Sequence, residues 1–256
     1  MQVYFESHQP DQPDIQYSES AEPDKPGTLY LVSVGVSQYQ DTSQNLRFAA
    51  TDAHDVHQQL VAQQGKRYDK VEPRLVADGA TLPIAANIKA ALDLFRQATA
   101  DDTVILFLSG HGTYDRDRGD YYFLSHDTQI KWDTLQTALE EAEGQRILLV
   151  DTCHASGVFN PRLVNDASYN EIILISATDR NSVAQELPEL GHGVFSHALL
   201  EGLKGYADKQ KDKKITIEEL EHYLHSTIIK LTGESQVPEF YPTKDVPNFV
   251  FSEVLK

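Results

Sequence analysis

Apolar and polar positions along this chain follow two alternating periods. Short apolar runs bounded by polar turns fall at residues 29–36, 71–76, 103–109, 146–151 and 171–176, and each reads as a buried strand. Between them apolar residues recur at helical spacing. In 46–64 these are Leu46, Ala49, Ala50, Ala53, Val56, Leu60 and Val61. A second helix opens at Thr81-Leu82-Pro83, with Pro83 suited to its first turn, and runs to about Ala98. Residues 132–143 form a third helix that Gly144 ends, and 197–204 and 217–231 two more. Residues 41–45 are a polar loop carrying helix-capping types, 114–120 a charged loop and 157–170 another loop. Short strands are expected at 121–125 and 248–251. Strand–helix alternation of this kind predicts an α/β domain with a mostly parallel sheet covered on both faces. No internal repeat interrupts it.

Composition changes this picture at one end. Residues 1–27 are rich in Pro, Asp, Glu, Ser and Gln, and read as a flexible acidic arm or linker. The folded domain is then 28–256. The formal net charge of −17 offers no basic stripe, which argues against a nucleic-acid partner. No apolar run reaches the roughly 18 residues needed to span a bilayer, and the start lacks the pattern of a secretory leader. With a single cysteine the chain has neither an internal disulfide nor a Cys-rich zinc site. A cytoplasmic setting suits a free thiol.

That cysteine carries the chemistry. Cys153 follows Leu148-Leu149-Val150-Asp151-Thr152, and His111 follows Val104-Ile105-Leu106-Phe107-Leu108-Ser109-Gly110. Each is released at the C-terminal end of an apolar strand, where open α/β sheets bind their ligands. A lone cysteine is most often a small buried hydrophobe. Two strands of the same design instead bring an imidazole and a thiol together as base and nucleophile. Gly110 and Gly112 flank the histidine and let a substrate approach the backbone. The N–H groups of Gly112 and Cys153 are then the natural donors to a tetrahedral oxyanion. Asp151 lies two residues before Cys153, so in an extended segment both share one face. A carboxylate buried there needs a partner, and a substrate Arg or Lys could supply it.

Ser-Gly-His-Gly at 109–112 with Asp-Thr-Cys-His-Ala-Ser-Gly at 151–157 resembles the caspase-like cysteine peptidases. It is closer to the metacaspase and bacterial orthocaspase branch than to animal caspases. Residues 46–53, 175–178 and 193–203 are similar to further blocks of that family, so the likeness covers about 28–252. The resemblance implies a caspase-like three-layer sandwich with a six-stranded, mostly parallel sheet and helices on both faces. It implies His111 as general base, Cys153 as nucleophile, and Gly112 with Cys153 as the oxyanion hole. Asp52, Ser109 and Asp151 match positions of the family's pocket for a basic P1 residue. Cleavage after Arg is expected ahead of Lys, because a planar guanidinium fits two carboxylates and an ammonium does not. The partner is then a protein or peptide substrate with a basic P1. Relatives often carry an upstream sensor or regulatory domain, or depend on a regulatory partner.

Other residues are weaker candidates. His154 beside the nucleophile faces the other way in an extended strand. Ser176, Ala177 and Asp179 are placed beside the substrate groove, and Phe195 or Tyr206 over its next subsite. Arg162, Arg116 and Arg118 are open to self-cleavage. Many metacaspases need calcium, but Asp115, Asp117, Asp120 and Asp127 match no ligand set and 208–220 departs from an EF-hand, so no cofactor is required by the sequence and calcium is left as an option without matched ligands. The pairs His54/His57 and His222/His225 read as surface pairs, not zinc ligands. The competing reading is a catalytically silent or latent scaffold working through protein–protein contacts. A nucleotide-binding domain lacks its phosphate loop after the first strand.

Overall fold

The computed structural model describes residues 15–19, 27–115, 117–118, 120–153, 172–178, 184–242 and 244–255, the side chains of Glu19 and Cys153 excepted. Its strands are β1 (Tyr17–Glu19), β2 (Thr28–Gly35), β3 (Lys70–Ala77), β4 (Thr103–Asp115), β5 (Asp120–Leu124), β6 (Gln129–Lys131), β7 (Gln145–Cys153) and β8 (Ile172–Ser176). Six short ones follow: β9 (Glu186–Leu187), β10 (His192–Gly193), β11 (Lys214–Thr216), β12 (Glu239–Tyr241), β13 (Val246–Asn248) and β14 (Val250–Glu253). The helices are α1 (Ala49–Val61), α2 (Ala85–Leu92), α3 (Trp132–Glu140), α4 (Val194–Glu201) and α5 (Ile217–Thr232).

The central sheet runs β12-β8-β7-β4-β2-β3, with β5 and β6 branching from the far end of β4. Five of the six main strands are parallel, and β12 lies antiparallel on the edge. Side chains of β4 alternate between the two faces, as the strand period demands. Ile105 and Phe107 join the core beneath α1, α4 and α5. Val104, Leu106 and Leu108 join the core beneath α2 and α3. Helices thus cover both faces. α5 is held by a capping box between Thr216 and Glu219 and stops at Gly233, whose φ of 57° is the left-handed cap.

Several elements depart from the periodic reading. β4 and β7 do not stop at residues 109 and 151 but continue through His111 and Cys153, because each keeps pairing with the other. The strand expected at 248–251 is divided between β13, which pairs with β1, and β14, which pairs with β11, so the sixth strand of the sheet lies elsewhere. It is the three-residue β12, too short to show an apolar period. Within the stretch read as an arm, Tyr17–Glu19 pair in parallel with β13, and Tyr17 packs on the core. The helix expected at 197–204 starts at Val194, and its last turn widens at 202–206, where Gly205 takes a φ of 116°.

Candidate active site

The register does most of the assembly. Across β4 and β7, Ser109 stands opposite Asp151, Gly110 opposite Thr152 and His111 opposite Cys153. Adjacent strands run about 4.8 Å apart, so the base and nucleophile positions are nearest neighbours. Gly110 takes a φ of 155°, and a Cβ there would stand 3.1 Å from the Tyr39 hydroxyl and 3.3 Å from the Phe123 ring. Only glycine lets β4 pass this point and present His111. Gly112 follows, opposite Phe123 of β5.

His111 is held from two sides. Its N–H donates to the Tyr39 hydroxyl at 2.9 Å, and the Tyr39 ring lies 5.1 Å from the imidazole, tilted by 37°. Its Nε2 is 2.8 Å from the Gln44 carbonyl oxygen. A carbonyl only accepts, so Nε2 carries the proton, and a neutral ring then keeps its lone pair on Nδ1. Gln44 is positioned by a 3-10 turn, Thr42–Gln44, whose first residues are capped by Asp41. Neither Tyr39 nor Gln44 was singled out in the sequence. The carbonyl acts through backbone, so no residue type signals it.

One layer below, two carboxylates converge. Asp52, in the first turn of α1, is 2% exposed, and Asp151, on β7, is 6% exposed. Asp52 accepts from the Gly193 N–H at 3.2 Å, from His192 Nδ1 at 2.8 Å and from the Ser109 hydroxyl at 3.5 Å. Asp151 accepts from the Ser196 hydroxyl at 2.6 Å and the Ser196 N–H at 3.2 Å, so it caps the start of α4. A Cβ on Gly193 would lie 2.9 Å from Asp151 Oδ2 and 3.2 Å from Asp52 Oδ2, so both acids face the same glycine. Burial, and then the charge of Asp52, push the Asp151 carboxyl up to about 7. Burial also raises Asp52, against the hydrogen bond from His192.

Asp52, Ser109, Gly110, Asp151, Glu186 and Gly193 line a cleft with about 10 Å³ of room, on the order of one water molecule. Its outer wall is the β9–β10 hairpin. Glu186 pins that hairpin to the start of α1 by accepting the Phe48 N–H at 3.0 Å and the Arg47 N–H at 3.3 Å. α1 has no side-chain cap of its own, so the carboxylate supplies one from across the chain. Glu186, His192 and Ser196 were missed in the sequence. A buried carboxylate predicts donors, but nothing local says which.

The remaining candidates scatter. Phe195 is fully buried in the core and Tyr206 is 70% exposed. Ser176 is buried and its hydroxyl faces the Thr178 carbonyl oxygen. Arg118 is exposed. His154, Arg116, Arg162, Asp179 and all of 157–170 lie outside the described residues. His57 and His225 turn inward rather than lying on the surface, and burial pulls His57 down to about 4. Three of the four acidic residues considered for calcium have partners within the protein. Asp127 caps α2, Asp120 pairs with Lys131, and Asp115 accepts from the N–H groups of residues 117 and 118. Among the described residues no three acidic, histidine or cysteine side chains cluster as a metal site would require. Among them no helix is long and apolar enough to cross a membrane.

A mostly parallel sheet of this order, covered by helices on both faces, sets the histidine and cysteine positions side by side at the C-terminal ends of β4 and β7. The family model for the caspase domain matches residues 30–249, and the chain belongs to that family. The crystal structure of protein GSU0716 from Geobacter sulfurreducens superposes on 91% of this chain and 100% of its own, with a TM-score of 0.63 and 17% identity. At that identity the likeness speaks for the fold. Among curated proteins none matches the chain in sequence.

Proposed function

We propose that this protein is a cysteine endopeptidase in which His111 activates Cys153, cutting peptide bonds after basic residues, Arg ahead of Lys. The observation that carries the reading is the pairing of residues 111 and 153 across adjacent strands. With Nε2 tied to the Gln44 carbonyl, Nδ1 of His111 takes the thiol proton as the sulfur attacks the scissile carbonyl. The N–H groups of Gly112 and Cys153 receive the oxyanion. The same imidazolium then protonates the leaving amine, and water hydrolyses the thioester. Asp52 and Asp151 flank the cleft below and match the charge of a P1 guanidinium, with Ser109 between them. Self-processing would follow at an exposed arginine.

Entry of an arginine side chain requires the β9–β10 hairpin to yield, because the cleft holds about one water as it stands. That closure favours a latent enzyme as the second reading, with a regulatory partner or domain supplying the trigger.

The test is hydrolysis of matched fluorogenic peptides ending in Arg, Lys or Asp, with and without calcium. Wild type is compared with Cys153→Ala and His111→Ala. Turnover of the Arg peptide that disappears in both variants is expected. Turnover of the Asp peptide alone would refute the basic pocket, and activity surviving Cys153→Ala would refute the dyad.

A further inference from the structure

The basic-pocket reading leaves one group unused. His192, at the start of β10, is not part of the dyad, yet its side chain is only 17% exposed and both ring nitrogens face carboxylates. Nδ1 is 2.8 Å from Asp52 Oδ1 and Nε2 is 3.5 Å from Asp55 Oδ2. A neutral imidazole has one N–H and could donate to only one of them. The doubly protonated ring donates to Asp52 and sets its second N–H at ion-pair distance from Asp55.

We propose that His192 is a positioning residue that sets substrate affinity: its imidazolium balances the pocket carboxylates in the empty enzyme and gives way to a substrate guanidinium. This rests on the basic-pocket reading above. The physical problem it solves is that two desolvated carboxylates side by side do not both stay ionised. With the imidazolium against Asp52, that carboxylate keeps its charge while the pocket is empty. An arriving guanidinium then meets an ionised acid instead of first displacing a proton.

The charges around the pair fit this role. α1 presents Asp52 and Asp55, β7 presents Asp151, and β9 presents Glu186. On the far side, α4 brings His197 and Glu201, and the turn after it Lys204. The ring itself feels Asp52 and Asp55 against Lys204, and the hydrogen bond to Asp52 is the largest influence holding the His192 imidazole above its ordinary range.

The experiment measures KM and kcat with an Arg-ended peptide from about pH 6 to pH 9, for wild type, His192→Gln and His192→Lys. Without the imidazolium the two acids hold their shared proton more tightly in the empty pocket, and each binding event must release it. His192→Gln is therefore expected to raise KM about tenfold near pH 6 and to converge on wild type near pH 9, with kcat keeping one pH profile throughout. His192→Lys restores the charge and is expected to follow wild type near pH 6. A constant offset at every pH, or an equal loss in kcat, would reduce His192 to a structural role and overturn the proposal. A second readout needs no turnover. Proton NMR of the His192 ring in Cys153→Ala protein is expected to show its pKa falling when agmatine is added and in Asp52→Asn. Efficient Arg-peptide turnover with a ring indifferent to both sinks this inference alone. No turnover and no agmatine response removes the basic pocket itself.

Discussion

Asp151, with its buried carboxyl, makes stability depend on pH in a way that can be measured. Its carboxyl rises from an ordinary 3.8 to about 7, first through burial and then through the charge of Asp52. At about 1.4 kcal/mol for each tenfold change in proton affinity, holding Asp151 ionised costs the fold about 4 kcal/mol. The sign follows from linkage. Below pH 3.8 the group is protonated in both states and costs nothing. As pH rises toward 7 only the unfolded chain gives up the proton, so stability falls; above 7 the cost is full and constant. Asp151→Asn keeps an oxygen for the Ser196 hydroxyl and N–H, which Asp151 holds at 2.6 and 3.2 Å, and cannot ionise. Urea unfolding of wild type and Asp151→Asn, both in a Cys153→Ala background, should show the variant gaining on wild type between pH 5 and pH 8. The expected gain is about 2–3 kcal/mol, and it should level off above that. Any fixed cost of the amide cancels in this comparison. With Cys153 restored, Asp151→Asn should lose about a hundredfold in kcat/KM on the Arg peptide, because one carboxylate of the fork is gone. A stability difference that does not change with pH would refute the reasoning.

The site's supports can be tested in the same way. Tyr39→Phe keeps the ring against His111 but removes the hydroxyl that accepts its N–H at 2.9 Å; kcat should fall about fivefold with KM unchanged. Gly110→Ala puts a Cβ at a φ of 155° and 3.1 Å from that hydroxyl, so thermal unfolding should show a loss of about 2 kcal/mol together with reduced kcat. Thr216→Ala breaks the capping box of α5, far from the dyad; it should cost about 1 kcal/mol in urea and leave kcat/KM untouched.

Most of the sheet, and the positions proposed for base and nucleophile, are legible in the amino-acid pattern alone. Leu29, Leu31, Ile105, Phe107, Ile147 and Leu149 lie in apolar runs, because strands buried on both faces have no polar side to display. Cys153 and His111 stood out because each ends such a run beside glycine or serine. Their pairing across the sheet, and the continuation of both strands through them, came from β4–β7 register, which no local pattern encodes. β12 escaped notice because three residues show no period, and β1 because its partner lies at the other end of the chain. The acid pocket divides the same way. Asp52, Ser109 and Asp151 were legible, while His192, Ser196, Glu186 and the Gln44 carbonyl were not. Glu186 and His192 reach their partners across about 140 residues. What a buried carboxylate demands is written in its chemistry, but which atoms meet the demand is decided only when the helices and hairpin close over the sheet.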